Sequence, residues 1–584
     1  MREGEPNLEI IESKKEQVKS FLKVELPETE ERIEEKMDPE CQVCVVIPCC
    51  GERDYILRSL KTLADQEDVK SNQFEVVYII NNPSEHFTKG PHETEEDYQK
   101  RNEKASIWRK DNQETIKFLK SIKNGSNKEI GVDEKETVDR IRESGIKFYF
   151  IDKASPGKEL PDNHANVGGA RNRGVAEAIE RFLELDRNGI ISQTDGDARV
   201  AYDYIRSLID VYNNNPDVVG VSGIMHFDVL EGKEALPKEF GMQEEMRWIY
   251  KKVVKILAHR EEMKRDGEWS NEPNIDFGGA NMSSRAYEAA LAGGIQKEGG
   301  GEDTYFGQDL AKIGKTMWSP EIVTYPADRI SDRTTTGHGK GRRKQREMIE
   351  KNGAIQVYEA ERIIFESDTR PRLEKLIASR GVSLASLKDI FTFKEEQLLS
   401  DESLQEMADE LKMLDQLPGK KEVFNVKSLK DAYKPLMKNL DKLSPQLSII
   451  QAVEQLRQRF LNDPELSAKF IDALEKKEAE FENTNKNMEV VKKITDLIFK
   501  RKLKKINIEN VRKILDESSE DFIEVKDQDL DILCKAIKGS KNAKDALDDY
   551  KWITGMSVMP EKTDPLCSGF EVLYAIREVL EGQK

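Results

Sequence analysis

The segment Gly189–Ala198 constrains this chain more than any other. It reads Gly-Ile-Ile-Ser-Gln-Thr-Asp-Gly-Asp-Ala, so a short apolar run leads directly into Asp195 and Asp197. In an extended segment, side chains two residues apart lie on the same face. The pattern predicts that the two carboxylates converge at a strand end, where their repulsion favours a bound cation. Mg2+ or Mn2+ is the expected cofactor, because hard divalent ions take oxygen ligands and bridge nucleotide phosphates. A solvated turn is the alternative for an Asp-x-Asp taken alone.

Composition narrows the class of protein. The chain has 584 residues, a net charge of -18, 37% hydrophobic and 35% charged residues. This length predicts two or more domains, and the acidic balance argues against a nucleic-acid-binding surface. We find no signal-peptide core and no apolar run of membrane-spanning length, which argues against a polymer-extruding membrane synthase. We expect a cytoplasmic protein and leave peripheral membrane association open.

Cysteine usage points to a reducing compartment. Six cysteines in 584 residues are too few for a disulfide framework. Cys41 and Cys44 have the spacing of half a zinc site, but no second pair lies near them in the sequence. We therefore predict that they are buried strand thiols.

Buried apolar runs alternate with helical patterns through the first half of the chain. This order predicts an α/β fold with a Rossmann-like, mostly parallel sheet. The predicted strands are 43–48, 74–80, 146–151, 189–194 and 218–224. Ligands of such sheets bind at the carboxyl ends of the strands. The polar residues at those ends, which predict a nucleotide cleft with a metal at its floor, are Glu52, Asn81, Asn82, Asp195 and Asp197.

Three domains follow from this pattern. Residues 1–40 form an N-terminal helical extension, with helical spacing over 8–36. Residues 41–346 form the α/β domain, interrupted by a polar, mostly helical insertion at about 84–145. Residues 347–584 are predicted to be all-α, because apolar residues recur there at helical spacing. This helical half is expected to cap an acceptor, to mediate oligomerisation or to serve as a docking platform.

Two further segments carry candidate chemistry. Three glycines precede Glu302 and Asp303 at the start of a predicted helix, which leaves an open approach for an acceptor hydroxyl. A helix N-terminus stabilised by acids is the alternative interpretation. His338 lies in a glycine-rich basic loop, where it is a candidate third metal ligand and the neighbouring cations could hold a diphosphate. A solvated basic loop is the alternative there.

Residues 43–340 resemble a family 2-type glycosyltransferase with the GT-A fold. The order and spacing of several loose motifs carry the resemblance. They are Val45–Glu52, Asn166-x-Gly-Gly-Ala-Arg-Asn-x-Gly174, Thr194–Ala198, Phe277–Asn281 and Gly301–Asp303. The Gly-Glu-Asp segment and the later histidine are also similar to the C-terminal region of galactosyltransferases.

The resemblance implies a role for each matching position on the donor side. Asp197 binds the metal, Asp195 binds the metal or the ribose, and His338 completes the metal shell. The implied donor-binding residues are Pro48, Glu52, Asn81, Gly169, Arg171 and Asp195. Asn81 departs from the family pattern, since many relatives carry an aspartate that reads the base. An amide both donates and accepts hydrogen bonds, so base reading can survive with a changed preference.

On the acceptor side, the resemblance implies that Asp303 is the catalytic base and that Glu302 places the acceptor. The expected reaction moves a sugar from a nucleotide-diphosphate sugar to a hydroxyl of a saccharide, lipid or small molecule. Inversion at the anomeric carbon is preferred because an acid sits where a base is needed, and retention remains open. The alternatives are a nucleotidyltransferase, which usually has a basic glycine-rich loop after its first strand, and a non-catalytic GT-A-like binding module.

Overall fold

The computed structural model describes most of the chain. The described residues are 8–82, 94–161, 164–226, 238–266, 277–297, 301–327, 351–379, 381–414, 427–444, 446–501, 507–516, 527–538 and 565–581, with isolated positions 347, 349, 543, 546, 547 and 550. His338 and its basic loop therefore lie outside the described residues.

The chain divides into two compact units that are discontinuous in sequence. The first contains residues 1–241, 274–344 and 484–559, and the second contains residues 242–273, 345–483 and 560–584. The domains predicted from the sequence are each one continuous stretch, whereas each of these units is built from three separate stretches of the chain. Those boundaries remain a prediction.

An eight-stranded sheet forms the centre of the first unit. Its strands are β1 (Val43–Cys49), β2 (Phe74–Asn81), β3 (Lys147–Lys153), β4 (Ile190–Gln193), β5 (Arg199–Val200), β6 (Val218–Met225), β7 (Met282–Arg285) and β8 (Lys315–Tyr325). The strand order is β3-β2-β1-β4-β7-β6-β8-β5. Neighbouring strands pair in parallel except where β7 meets β4 and β6 and where β5 meets β8. The predicted fold class, a mostly parallel α/β sheet followed by a helical region, is confirmed.

Helices cover both faces of this sheet. The described helices in the first half of the chain are α1 (Leu8–Glu25), α2 (Arg53–Ala64), α3 (Glu95–Lys123), α4 (Lys135–Ser144), α5 (Val167–Glu184), α6 (Tyr204–Asn214), α7 (Lys238–Asp266), α8 (Ala286–Leu291) and α9 (Glu302–Ile313). Of these, α7 belongs almost entirely to the second unit. Strand β1 shows why both faces are apolar. Val43, Val45 and Ile47 belong to one buried cluster, whereas Cys44 and Val46 belong to the other. Because side chains alternate across a strand, a continuous apolar run fits a sheet that is buried on both sides.

The second half of the chain is mainly helical. Its described helices are α10 (Ala360–Ala378), α11 (Leu384–Ile390), α12 (Asp401–Leu414), α13 (Lys427–Leu443), α14 (Ile449–Leu461), α15 (Ser467–Arg501), α16 (Ile508–Asp516), α17 (Asp527–Lys538) and α18 (Pro565–Glu581). Short strand pairs join β10 (Thr392–Phe393) to β11 (Glu396–Gln397) and β12 (Leu447–Ser448) to β9 (Gln356–Val357). Val491, Ile494 and Leu533, from α15 and α17, belong to the same apolar cluster as the sheet residues of the first unit.

The N-terminal helix is shorter than its sequence pattern predicts. Helix α1 ends at Glu25 instead of continuing to residue 36. Pro27 explains the early end, since a proline disfavours helical backbone at the residue before it. The segment that follows is held against α5 by polar contacts. Arg32 pairs with Glu180 at 2.6 Å, and the Ile33 N–H donates to the Glu177 carboxylate at 2.9 Å.

Cys41 and Cys44 are buried, as predicted. Among the described helices, we find none whose length and apolarity would let it cross a bilayer.

A buried ion pair fastens α5 to the sheet. The Arg181 guanidinium donates to both carboxylate oxygens of Glu75 on β2, at 2.6 and 2.7 Å. The two side chains are 4% and 3% exposed. Removing one member of such a pair leaves an uncompensated buried charge.

We predict that Glu75→Gln lowers the free energy of unfolding by about 3–5 kcal/mol, measured by urea denaturation. The double change Glu75→Leu with Arg181→Met should recover much of this loss, because it removes both buried charges. A single variant as stable as the wild type would contradict the assigned role of the pair.

Candidate active site

Helix α5 begins at the edge of the sheet where β1, β2 and β4 end. Asn166 caps this helix, because its side-chain oxygen accepts the Gly169 N–H at 3.0 Å. The Asn166 amide also donates to the Lys297 carbonyl at 2.6 Å. These contacts fix the first turn of α5, which carries Arg171. Gly169 itself lies against the His164 backbone, where a methyl group would be 1.8 Å from the carbonyl oxygen.

Arg171 joins segments that are far apart in the sequence. Its side chain is 3% exposed, and one of its terminal nitrogens donates to Asp195 Oδ1 at 2.5 Å. The other terminal nitrogen donates to the Gly279 carbonyl at 2.6 Å. Its Nε lies 3.7 Å from Glu302 Oε1, which is an ion-pair distance rather than a hydrogen bond. The rigid fork of a guanidinium suits contacts in several directions at once.

Asp303 is attached to the same place through the backbone. Its Oδ2 accepts the Gly279 N–H at 2.8 Å, and its Oδ1 accepts the Thr304 N–H at 2.8 Å. The second bond belongs to the first turn of α9, as the helix-terminus interpretation expects. The first bond does not, and it places this carboxylate beside Arg171's other partners. We refer to Arg171, Asp195, Gly279, Glu302 and Asp303 as the Arg171 cluster.

Glu302 is the buried carboxylate of the cluster. Burial raises the pKa of its carboxyl above the ordinary value, and Arg171 opposes this shift. The neighbouring acids Asp303 and Asp195 raise the pKa further. A buried acid that retains its proton to higher pH is typical of sites that handle protons or charged ligands.

The Asp-x-Asp segment is a turn rather than a continued strand. Strand β4 ends at Gln193, and the Ala198 N–H donates to the Asp195 carbonyl at 3.1 Å. Asp195 and Asp197 therefore lie in a turn at the end of β4, and not in extended backbone. Both carboxylates remain accessible, since Asp195 is 39% exposed and Asp197 is half-buried.

This turn lies directly against the turn that follows β1. A methyl group at Gly196 would be 2.9 Å from Cys49 Sγ, 3.0 Å from Glu52 Cγ and 3.3 Å from the Pro48 carbonyl oxygen. Only glycine fits such an approach without a shift of its neighbours. The structure therefore brings Pro48 and Glu52, both predicted to line the donor pocket, to the segment between the two aspartates.

Asn81 completes this edge of the sheet. Its side chain is buried, and its amide lies 3.5 Å from the Asn166 carbonyl at the start of α5. Nine predicted site residues thus fall at or beside the ends of β1, β2 and β4 or within the Arg171 cluster. The roles assigned to them remain predictions.

The predicted metal site is not assembled within the described part of the chain. No group of three histidine, cysteine or acidic side chains comes together there at metal-binding spacing. His338, the predicted third ligand, lies outside the described residues. Asp195 and Asp197 supply two oxygen donors of the kind that Mg2+ and Mn2+ prefer.

Two contributors were not predicted from the sequence. Gly279 belongs to a motif that was recognised, but its role as a bridge through both N–H and carbonyl was not. Asn112, from the polar insertion, hydrogen-bonds the ends of β1 and β2. An asparagine in a charged helix gives no periodic signal, so nothing in the sequence distinguished it.

Comparison with known proteins finds partial and distant matches. No family model matches the chain. It is 37% identical over 70 residues to the glucosyl-dolichyl phosphate glucuronosyltransferase of Haloferax volcanii, a match over 12% of this chain and 22% of that protein. The match thus spans about a fifth of this curated relative.

Two solved structures are similar at low identity. The mannosyltransferase PcManGT from Pyrobaculum calidifontis, in complex with GDP-Man and Mn2+, is 14% identical, with 74% of this chain and 93% of that chain covered and a TM-score of 0.27. S. aureus TarS 1-349 in complex with UDP-GlcNAc is 13% identical, with 68% and 89% covered and a TM-score of 0.30.

We predict that Arg171→Met lowers the free energy of unfolding by about 3–5 kcal/mol, because it leaves buried partners of the guanidinium without compensation. Arg171→Lys should recover part of this loss, since a point charge cannot reach three partners at once. Urea denaturation measures both. Arg206→Met is the matched control, because Arg206 forms an exposed pair with Asp210 and its loss should leave the midpoint unchanged. Wild-type stability of Arg171→Met would contradict the central position of Arg171.

Proposed function

We propose that this chain is a metal-dependent glycosyltransferase of the family 2 type with a GT-A fold. It would move a sugar from a nucleotide-diphosphate sugar to a hydroxyl acceptor. The observation that carries this proposal is the Arg171 cluster, in which the Asp-x-Asp turn, the start of α5, the Gly279 segment and the Glu302–Asp303 pair meet at one buried guanidinium. A donor-side motif and an acceptor-side motif are adjacent in this arrangement, as a transfer between two substrates requires.

The donor side is built from the strand ends. Asp195 and Asp197 would hold a divalent cation, which when bound neutralises charge on the leaving diphosphate. Pro48, Glu52 and Asn81 would surround the nucleoside. Arg171 and Gly169, at the start of α5, would lie beside the diphosphate.

The acceptor side is built from the first turn of α9. Asp303 would take the proton of the acceptor hydroxyl as the new glycosidic bond forms, and Glu302 would place the acceptor. Two backbone amides hold the Asp303 carboxylate in one orientation, which supports a role in which direction matters. A single base on one side of the sugar favours inversion of configuration.

We predict that a nucleotide sugar stabilises the protein against heat and that Mn2+ strengthens the effect. UDP-GlcNAc, UDP-glucose and GDP-mannose are suitable probes, and a donor at 100 times its dissociation constant adds about 2.7 kcal/mol. Asp197→Ala should abolish the part that depends on Mn2+. Asp210→Ala, on the exposed face of α6, should not. Equal Mn2+-dependent stabilisation of Asp197→Ala and wild type would remove Asp197 from the metal site.

Asp303→Asn should lower turnover by about 10²–10⁴-fold, because a well-placed base contributes that much to rate. Donor binding should persist, since the substitution does not touch the nucleotide pocket. The release of nucleoside diphosphate measures turnover, and calorimetry measures binding. Asp309→Asn in the same helix, whose side chain pairs with Lys312 near the surface, is the control. Unchanged turnover in Asp303→Asn would exclude it as the base.

A further inference from the structure

Helix α3, from the polar insertion, packs on the two turns where the nucleotide is expected to bind. Asn112 of this helix is fully buried. Its amide nitrogen donates to the Asn81 carbonyl at 2.9 Å and to Asn82 Oδ1 at 2.8 Å. Its side-chain oxygen accepts the Gly51 N–H at 2.8 Å. One side chain thus ties the end of β1 to the end of β2, and it uses both donors and the acceptor of the amide to do so.

The neighbouring turn of α3 reinforces this attachment. Asp111 accepts the Arg53 N–H at 3.1 Å, so the backbone on both sides of Glu52 is hydrogen-bonded to the insertion. The Arg53 guanidinium lies 3.6 Å from the centre of the Phe118 ring, also on α3. It also pairs with Glu134 at 2.9 Å. These contacts fix the position of the turn rather than merely cover it.

Asn81 and Asn82, the two asparagines at the end of β2, differ in how firmly their side chains are hydrogen-bonded. Asn82 donates to the Ala154 carbonyl at 2.7 Å and accepts from Asn112, so both ends of its amide serve the fold. Within the described residues, the Asn81 side chain makes one hydrogen bond, a long one of 3.5 Å from its amide nitrogen to the Asn166 carbonyl. A bound base can replace a weak contact more readily than two good hydrogen bonds. Asn81 is therefore the better placed of the two to read a base.

We propose that Asn112 is a positioning residue of the donor site. It holds Glu52 and Asn81 in register, and Glu52 in turn abuts Gly196 between the two aspartates. The insertion is then a wall of the nucleotide pocket, and the base preference depends on a residue outside the sheet. This inference rests on the proposed function.

The test uses UDP and GDP as probes, each with Mn2+, on the full chain. Asn112→Ala should weaken binding of the preferred diphosphate at least about tenfold, because small displacements at a positioned site have large effects. The ratio of UDP affinity to GDP affinity should move towards one. Glu114→Ala, an exposed neighbour on α3, should change none of these quantities.

The outcomes distinguish this inference from the function on which it rests. Wild-type protein that binds neither diphosphate defeats both. Suppose instead that the wild type binds one of the diphosphates and that Asn112→Ala folds. If the variant then has the wild-type dissociation constant and the wild-type ratio of UDP affinity to GDP affinity, the inference fails and the proposed function stands.

Hydrogen exchange on the wild type covers the case in which Asn112→Ala does not fold. The Gly51 amide donates to Asn112, so its exchange reports this bond directly. Nucleotide binding should slow exchange at Gly51 and in residues 105–116 of α3. Unchanged exchange at both would overturn the proposal.

Discussion

The candidate site depends on one guanidinium that is almost completely removed from water. A buried charge is tolerated when oppositely charged groups and carbonyl oxygens surround it. Arg171 finds these partners on Asp195, Gly279 and Glu302, which lie on three different stretches of the chain. The need to satisfy that charge explains why motifs separated by more than a hundred positions meet at one point.

The acidic side chains near the Arg171 guanidinium outnumber this one positive charge. Asp195, Glu302 and Asp303 lie near a single arginine, and Glu302 keeps its proton to higher pH than an exposed glutamate would. Such an arrangement is unfavourable for folding by itself. Sites of this kind are retained where the charges act on a ligand, and the surrounding fold supplies the stability that they lose.

Five of the eight strands and the edge where they end were predictable from the sequence, but β5, β7, β8 and several contacts within the site were not. Strands β1 and β2 appear as largely apolar runs, because their residues are buried on both faces. Asn166 indicates the start of α5, because asparagine is a preferred N-cap residue and its side chain accepts a backbone N–H of the first turn. Asn112 gives no such signal, because its hydrogen bonds are made to backbone and to another asparagine far along the chain.

Residues 484–559 belong to the sheet unit although they lie far along the chain, and this limits which fragments of the protein can fold alone. Val491, Ile494 and Leu533 share a continuous apolar layer with strand residues from the first half of the chain. A fragment that stops before them would leave that layer facing water. The smallest fragment that keeps the sheet intact must therefore combine separate stretches of the chain. A single proteolytic cut between those stretches would leave two chains that remain associated through the apolar cluster they share.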